Sequence, residues 1–223
     1  MAEPESPAVS AVVLAGGRSQ RMGRDKATVP LAGRSLLQWT IEAVADVRGL
    51  VEVVLVLAPR QETPRVTCAV PLRIVRDTTG AEGPLVALIA GVEAASAPVA
   101  LVLGCDTPFV RPALLHLLVE EARSHSAVIP IVEGRVQPLC SAVRRDALPA
   151  LAAAVTSGAR AASAVADIPG TRLLDEEAWR ATDPRGLSFI GVNTPEELAE
   201  ASAVAAEILA EGEATSQGGP PSG

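Results

Sequence analysis

Glycines and basic residues crowd into one short segment near the start of the chain. It reads Leu14-Ala15-Gly16-Gly17-Arg18-Ser19-Gln20-Arg21-Met22-Gly23-Arg24-Asp25-Lys26. Glycine lets the backbone approach a phosphate closely, and arginine and lysine neutralise phosphate charge. Two common templates do not fit, because Arg24 follows Gly23 where a P-loop has lysine, and the G-x-G-x-x-G fingerprint is absent. The segment therefore predicts a phosphate-binding loop of another kind.

The charge of this loop is opposite in sign to the charge of the whole chain. Nineteen basic and 26 acidic residues give the chain a net charge of −7. The loop alone carries +3, from four basic residues against Asp25, which leaves −10 for the remainder. A compact cationic loop on an acidic protein favours a small polyanion such as a triphosphate over an extended duplex. A solvated basic loop without a ligand is the structural alternative, as is a plain surface charge for Lys26.

Asp106 is a second candidate for chemistry because it ends an apolar run of strand length, residues 100–105. In a parallel sheet this position lies at the carboxyl-terminal edge, where such folds bind ligands. Mg²⁺ takes one or two carboxylates with phosphate oxygens and water, which suits a single well-placed aspartate. Alternatively, Asp106 caps the helix ahead of Pro112. Cys105 is predicted to pack in the strand, since no histidine lies nearby in the sequence to activate it.

The elements that position these residues follow from alternating hydrophobic patterns. Strands are predicted at 9–15, 51–57, 72–75 and 99–104, and helices begin at Ser35, Pro84 and Pro112. This alternation predicts an α/β fold with a doubly wound, mostly parallel sheet. Residues 127–132 and 135–143 flank a Gly-containing turn and predict an antiparallel element in the second half. A further helix is predicted at 146–156, and the last one, with a capping box at Thr194 and Glu197, is expected to end near Ala210.

Composition limits the classes of protein to consider. With 48% hydrophobic residues in 223, the chain is long enough for one large domain. We expect a flexible N-terminus at 1–8, a single domain at 9–210 and a disordered tail at 211–223. Four aromatic residues and an acidic charge argue against nucleic acid as a partner. No apolar run approaches the roughly 20 residues of a membrane span, and three scattered cysteines with no signal-peptide pattern favour a cytoplasmic location.

The glycine-rich segment closely resembles the L-A-G-G-x-S-x-R-M-G-x-D-K signature of MobA-like nucleotidyltransferases, specifically the molybdenum cofactor guanylyltransferases. Other stretches resemble that family in its order, with Asp77 ahead of the first: Gly83-Pro84-Leu85, Cys105-Asp106-Thr107-Pro108-Phe109, Gln137-Pro138-Leu139 and Asn193-Thr194-Pro195-Glu196-Glu197-Leu198. The resemblance covers about residues 9–210. It implies that this region is one nucleotidyltransferase domain with the Rossmann-like fold of nucleotide-diphospho-sugar transferases.

The resemblance also implies an enzyme that transfers GMP from GTP to the molybdenum cofactor, with Mg²⁺ bound by Asp106. The residues it assigns to the nucleotide are Leu14, Ala15, Gly16, Gly17, Lys26, Asp77 and Asp106, with Lys26, Arg21 and Asp106 as the catalytic groups. Asp77 could accept hydrogen bonds from N1–H and the exocyclic amine of guanine, or could form a turn. By the same resemblance, Gln137 and Asn193 are expected to face the pterin acceptor or to complete the phosphate site, and the alternative is that they are structural.

Three positions depart from the family pattern. Ala58-Pro59-Arg60 stands where the family often has an asparagine, Val86-Ala87 where it has Ala-Gly, and Gly191 where many members have another asparagine. A related transferase using CTP, or GTP with another phosphorylated acceptor, therefore stays open, although L-A-G-G with D-K favours guanylyl transfer. A non-catalytic nucleotide-binding protein that delivers cofactor is the alternative from another class. The expected protein partner is a molybdoenzyme or a delivery chaperone.

Overall fold

The structure is a computed structural model that describes residues 7–16, 25–77 and 83–217. The strands within these residues are β1 (Val9–Leu14), β2 (Pro30–Leu31), β3 (Arg34–Ser35), β4 (Leu50–Leu57), β5 (Leu72–Arg76), β6 (Val99–Gly104), β7 (Ala127–Val132), β8 (Arg135–Val136), β9 (Cys140–Arg144) and β10 (Thr171–Leu174). The α-helices are α1 (Leu36–Ala45), α2 (Pro84–Ala94), α3 (Pro112–Glu121), α4 (Leu148–Thr156), α5 (Glu176–Arg180) and α6 (Pro195–Gln217). Among these helices, none has the length and apolar character needed to cross a bilayer.

The main sheet has the strand order β10-β7-β9-β6-β1-β4-β5. β1 pairs in parallel with both β4 and β6, and β5 continues the parallel order beyond β4. β9 runs antiparallel between β6 and β7, and β8 pairs antiparallel with β7. The mostly parallel sheet with an antiparallel element in its second half is therefore confirmed. The order of the strands reverses beside β1, which opens a crevice at the carboxyl ends of β1 and β6.

Helices cover both faces of this sheet because its central strands are apolar on both sides. Every residue of β1 and β6 is buried. α1 and α3 pack on one face, whereas α2, α4 and a 3-10 helix at Ala162–Asp167 pack on the other. A third apolar cluster joins the β2–β3 hairpin to α6. The fold is thus doubly wound, as the sequence predicted.

Two predicted helix starts, at Ser35 and at the capping box of Thr194 and Glu197, are confirmed by their caps. Ser35 Oγ accepts a hydrogen bond from Gln38 N at 3.1 Å at the start of α1. At the start of α6, Glu197 N donates to Thr194 Oγ1 at 3.2 Å while Thr194 N donates to Glu197 Oε2 at 3.1 Å. Each of these bonds satisfies a backbone N–H group that the helix itself leaves without a partner.

Three predicted boundaries were wrong. The strand predicted at 135–143 is interrupted at Gln137-Pro138-Leu139, because Pro138 has no N–H for a strand ladder and Cys140 N closes a turn onto Gln137 O. The helix predicted from Asp146 begins as a 3-10 helix at Arg145–Ala147, and α4 begins at Leu148. α6 continues past Ala210 to Gln217, since glutamate and alanine favour helix there despite one glycine. Residues 211–217, expected to be disordered, are therefore helical.

Candidate active site

A pocket of about 560 Å³ lies at the crevice beside β1. Its walls come from the carboxyl ends of four parallel strands and from the start of α2. The lining residues are Leu14, Ala15, Gly16, Lys26, Val56, Leu57, Ala58, Asp77, Gly83, Pro84, Ala87, Gly104, Cys105, Asp106 and Leu139. The first turn of α2 contributes Pro84 and Ala87 to this lining, and the N–H groups of Leu85 and Val86 in the same turn are bonded to Arg160 O at 3.0 Å and Gly83 O at 3.2 Å.

Three predicted site residues meet at this pocket, where Lys26 and Asp106 belong to the lining and Asn193 contacts Lys26. Lys26 Nζ donates to Asp106 Oδ2 at 2.9 Å and also donates to Asn193 Oδ1. The side chains of Lys26 and Asp106 are 21% and 24% exposed, so the ion pair is shielded but still reachable from the pocket. An ammonium and a carboxylate held together in this way suit the binding of a phosphate and of its counter-cation.

Lys26 is directed into the pocket by a short 3-10 helix, Lys26–Thr28. Asp25 precedes this helix and caps it, because its Oδ1 accepts a hydrogen bond from Ala27 N at 3.0 Å. Ala27 is fully buried against the core on the α1 side of the sheet. Lys26 is therefore not a loosely tethered surface charge, which was the structural alternative for this residue.

Asp106 is held at the end of β6 by backbone contacts and by a glycine. Asp106 O accepts a hydrogen bond from Val192 N at 2.8 Å. A Cβ atom on Gly104 would lie 2.5 Å from Asp106 Oδ1, so glycine leaves the room that this carboxylate occupies. The alternative of a helix cap is wrong, since Arg111 is the N-cap residue of α3.

Cys105 is confirmed as a packing residue of the sheet. It is buried, and its backbone N donates to Leu14 O at 3.2 Å, which joins the ends of β6 and β1. Burial, together with the neighbouring Asp106 carboxylate, raises the pKa of the Cys105 thiol well above its usual range. The thiol is therefore protonated at neutral pH and is not a nucleophile.

The predicted nucleotide-binding backbone also lines the pocket. A Cβ atom on Gly16 would lie 3.0 Å from Ala58 N, so the backbone after β1 closely approaches the backbone after β4. Asp77 lines the pocket after β5, and its N donates to Leu57 O at 2.9 Å. Gly17 and Arg21, which the sequence also assigned to the site, lie outside the described residues.

Asn193 and Gln137, the two predicted acceptor residues, lie in different surroundings. Asn193 contacts Lys26, as described above, and its backbone N donates to Glu197 Oε2 at 2.5 Å at the start of α6. Gln137 is not among the residues that line the pocket, and its Nε2 donates to the nearby Arg135 O at 3.2 Å. The structure thus brings Asn193, but not Gln137, to the ion pair.

Two residues that contact segments of the site were missed by sequence reasoning. Asp183 is 1% exposed and accepts hydrogen bonds from Leu187 N at 3.0 Å and Ser188 N at 2.7 Å, which orders the segment leading to Asn193. Gln61 contacts the backbone of Ala15 and the side chain of Asp25. Their partners could not be read from the sequence. Lys26, by contrast, could be identified from the sequence, where it is the only lysine in the chain.

The described residues contain no group of three or more histidine, cysteine, aspartate or glutamate side chains that could hold a metal by itself. This composition does not suit a structural zinc or calcium site, which takes most of its ligands from the protein. It does suit Mg²⁺, which keeps several waters and combines one or two carboxylates with substrate phosphates. Asp106 is the carboxylate in the pocket that lies beside the lysine.

Known proteins match most of this chain. The sequence profile of the MobA-like NTP transferase domain matches residues 11–175. A probable molybdenum cofactor guanylyltransferase of Chloroflexus aggregans is 33% identical over 196 residues, which cover 85% of this chain and 91% of that protein. A molybdenum cofactor guanylyltransferase of Desulfosudis oleivorans is 31% identical over 199 residues, with coverage of 88% and 95%.

Solved structures share the fold. The molybdopterin-guanine dinucleotide biosynthesis protein A of Archaeoglobus fulgidus superposes with a TM-score of 0.71 at 23% identity, covering 89% of this chain and 99% of that one. The 2-C-methyl-D-erythritol 4-phosphate cytidylyltransferase of Thermus thermophilus gives a TM-score of 0.65 at 25% identity, with coverage of 89% and 98%.

Proposed function

This chain belongs to the MobA-like NTP transferase family, and from that premise we propose that it transfers GMP from GTP to the molybdenum cofactor. The products are the guanine dinucleotide form of the cofactor and pyrophosphate. One observation carries the proposal: the Lys26–Asp106 ion pair lies in the pocket beside β1. The relatives that match this chain are named molybdenum cofactor guanylyltransferases.

The reaction is an in-line displacement at the α-phosphorus of GTP. A phosphate oxygen of the acceptor forms the new bond to phosphorus, while the bond to the bridging oxygen breaks and its electron pair leaves with pyrophosphate. The two reacting groups are both anions and repel each other. The protein therefore has to hold them in line and to stabilise the charge that builds up in the transition state.

The pocket residues divide these tasks between them. The backbone at Ala15 and Gly16 binds the nucleotide, while the Lys26 ammonium faces its phosphates. Asn193 orients that ammonium through its side-chain oxygen. Asp106 would hold Mg²⁺, which would supply neutralisation of phosphate charge.

Guanine is selected by hydrogen bonds from its edge, because the described pocket is lined by no aromatic ring. The Asp77 carboxylate accepts from N1–H and from the exocyclic amine of guanine, a pair of donors that adenine lacks. Ala58 and Pro59 offer no polar side chain at the end of β4, so base selection depends mainly on Asp77 and on backbone groups. Delivery of the product to a molybdoenzyme or a chaperone stays a prediction.

The first test compares nucleotides as stabilising ligands. With Mg²⁺ present, GTP is expected to raise the melting temperature more than CTP or ATP, because a ligand at a hundred times its Kd stabilises the folded state by about 2.7 kcal/mol. Pyrophosphate release should then require GTP together with purified molybdenum cofactor. Asp106→Asn is the negative control, and it should lose turnover while its melting temperature stays close to wild type.

Two results of this test would count against the proposal. If CTP raised the melting temperature as much as GTP or more, the proposed activity would be cytidylyl transfer and not guanylyl transfer. Nucleotide binding without pyrophosphate release above the Asp106→Asn background would favour a non-catalytic delivery protein instead.

A further inference from the structure

The side chain of Gln61 uses both of its N–H donors on other parts of the protein. Its Nε2 donates to Ala15 O at 2.9 Å and to Asp25 Oδ2 at 2.7 Å, and its Oε1 accepts from Ala58 N at 3.0 Å. A glutamine has two N–H donors, and both are engaged. Gln61 therefore has no donor to offer a substrate, and its effect on the reaction must pass through its three partners.

Those partners belong to three separate segments of the site. Ala15 follows β1, Ala58 follows β4, and both line the pocket. Asp25 directly precedes the 3-10 helix that carries Lys26. One side chain thus joins the nucleotide-binding backbone, the neighbouring strand end and the start of the lysine helix.

Asp25 transmits this connection to Lys26. One of its carboxylate oxygens accepts from Gln61, and the other caps the lysine helix by accepting from Ala27 N at 3.0 Å. With both oxygens bound, the carboxylate has a single orientation, and so does the helix that it caps. The direction in which Lys26 leaves the backbone depends on this chain of bonds.

Gln61 is itself fixed from its other side. Arg76, at the end of β5, donates through Nη1 to Gln61 O at 2.7 Å and to Ala58 O at 3.3 Å. Its Nη2 donates to Thr63 Oγ1 at 3.2 Å. The segment that carries Gln61 is therefore tied to the sheet. Gln61 is fixed in place and can hold its partners in position.

We propose that Gln61 is a positioning residue for nucleotidyl transfer, which fixes the Lys26 ammonium relative to Asp106 and to the nucleotide-binding backbone. Its kinetic consequence depends on the proposed function. Misplacing a charged group by about 1 Å can cost on the order of 100-fold in rate. Loss of the Gln61 hydrogen bonds is therefore expected to reduce turnover far more than it reduces the affinity for nucleotide or the stability of the fold.

The chain offers a matched control for this test in Gln38. Its Nε2 donates to Glu42 Oε1 at 3.0 Å and to Thr67 O at 3.1 Å, and its Oε1 accepts from Thr67 N at 2.9 Å. These are the same kinds of partner that Gln61 has: one carboxylate, one carbonyl and one backbone N–H. Gln38 is not among the residues that line the active-site pocket.

The variants are Gln61→Glu and Gln38→Glu, which keep the size of the side chain, lose both donors and place an anionic oxygen against a carboxylate. Gln61→Met and Gln38→Met make the same comparison without the added charge. They replace Gln61→Glu and Gln38→Glu if either of those two variants does not fold. Melting temperatures of each matched pair show whether the variants pay similar costs in stability.

In the kinetic arm, Gln61→Glu should lower kcat for pyrophosphate release by about 10- to 100-fold, with a much smaller change in the KM for GTP. Gln38→Glu should keep the kcat of wild type. In a Lys26→Met background, Gln61→Glu should lower the residual rate no further, because the two residues act through one group. A Gln61 variant with the kcat of its Gln38 counterpart would overturn the proposal.

A second arm needs no substrate and therefore separates this proposal from the proposed function. Because Lys26 is the only lysine, an amine-acylating reagent followed by peptide mass spectrometry reports on its side chain alone, apart from the N-terminus. Gln61→Glu should raise the rate of acylation at Lys26 several-fold, whereas Gln38→Glu should leave it unchanged. Equal rates in all three proteins would refute the positioning role, and an inactive wild type would refute only the proposed function.

Discussion

Lys26 illustrates how much a single residue type determines in this site. All the other basic residues of the chain are arginines, yet a lysine stands where the ion pair forms. An ammonium is a compact charge with three N–H donors, and it fits between the oxygens of Asp106 and Asn193. A guanidinium is planar and larger, with donors in a rigid fork. We therefore expect the site to require the shape of lysine and not only its charge.

This requirement predicts that Lys26→Arg fails although it conserves the charge. We expect kcat for pyrophosphate release to fall by about 100-fold or more, as for other losses of a single transition-state donor, because the guanidinium cannot occupy the position of Nζ. Lys26→Met should be at least as impaired. The melting temperature of both variants should stay near that of wild type, since Lys26 is partly exposed.

Arginine at position 26 with near-normal turnover would show that charge alone is sufficient. In that case, the contact between Nζ and Asn193 would not contribute to the reaction.

At the scale of elements, the strands that end at the site were predictable and the contacts between them were not. β1, β4 and β6 appear in the sequence as apolar runs because they are largely buried on both faces, whereas β5 is the edge strand and is partly exposed. Gln61 carries no such pattern, and its partners Ala15 and Asp25 lie 46 and 36 residues away. Hydrogen bonds between distant segments depend on the register of the folded sheet, which the local pattern of residues does not encode.

The end of β6 gives a prediction at this scale, because the strand stops at a glycine directly before the Cys105-Asp106 pair. A Cβ atom at position 104 would collide with Asp106 Oδ1 at 2.5 Å. That atom is the end of a rotatable side chain, so Gly104→Ala is expected to move the carboxylate rather than to disrupt the strand. Turnover should fall by at least 10-fold, with little change in melting temperature.

Pyrophosphate release and thermal denaturation of the same preparation check this prediction together. An active Gly104→Ala enzyme would mean that the position of the Asp106 carboxylate is not critical. A large loss of stability would mean that the strand, and not the carboxylate, gives way to the added methyl group.

On the scale of the whole molecule, the two edges of the sheet have separate roles. The carboxyl edge holds the pocket, whereas a polar cluster lies near the amino-terminal ends of β1, β4 and β6. There Glu52 accepts hydrogen bonds from Ser10 Oγ at 2.9 Å and from Ser96 N and Oγ, both at 2.6 Å. Arg73 lies 3.4 Å from its other oxygen. This cluster joins four segments of the chain without touching the site, so it should affect stability and not turnover.

Glu52 therefore makes the stability of the fold depend on pH. Burial alone raises the pKa of its carboxyl, but the bonds from Ser96 and Ser10 and the charge of Arg73 outweigh burial, and the pKa lies below its ordinary value. Since the unfolded state then binds the proton more readily, the ionised cluster stabilises the fold at neutral pH and loses this effect as the pH falls below about 4.

Urea denaturation should show Glu52→Gln less stable than wild type at pH 7. The difference in the free energy of unfolding between the two proteins should narrow in acid, and turnover at pH 7 should be unchanged. Glu42→Gln, which removes an exposed pair with Arg34, should show neither effect, and a gap for Glu52→Gln that stayed constant with pH would contradict the assignment.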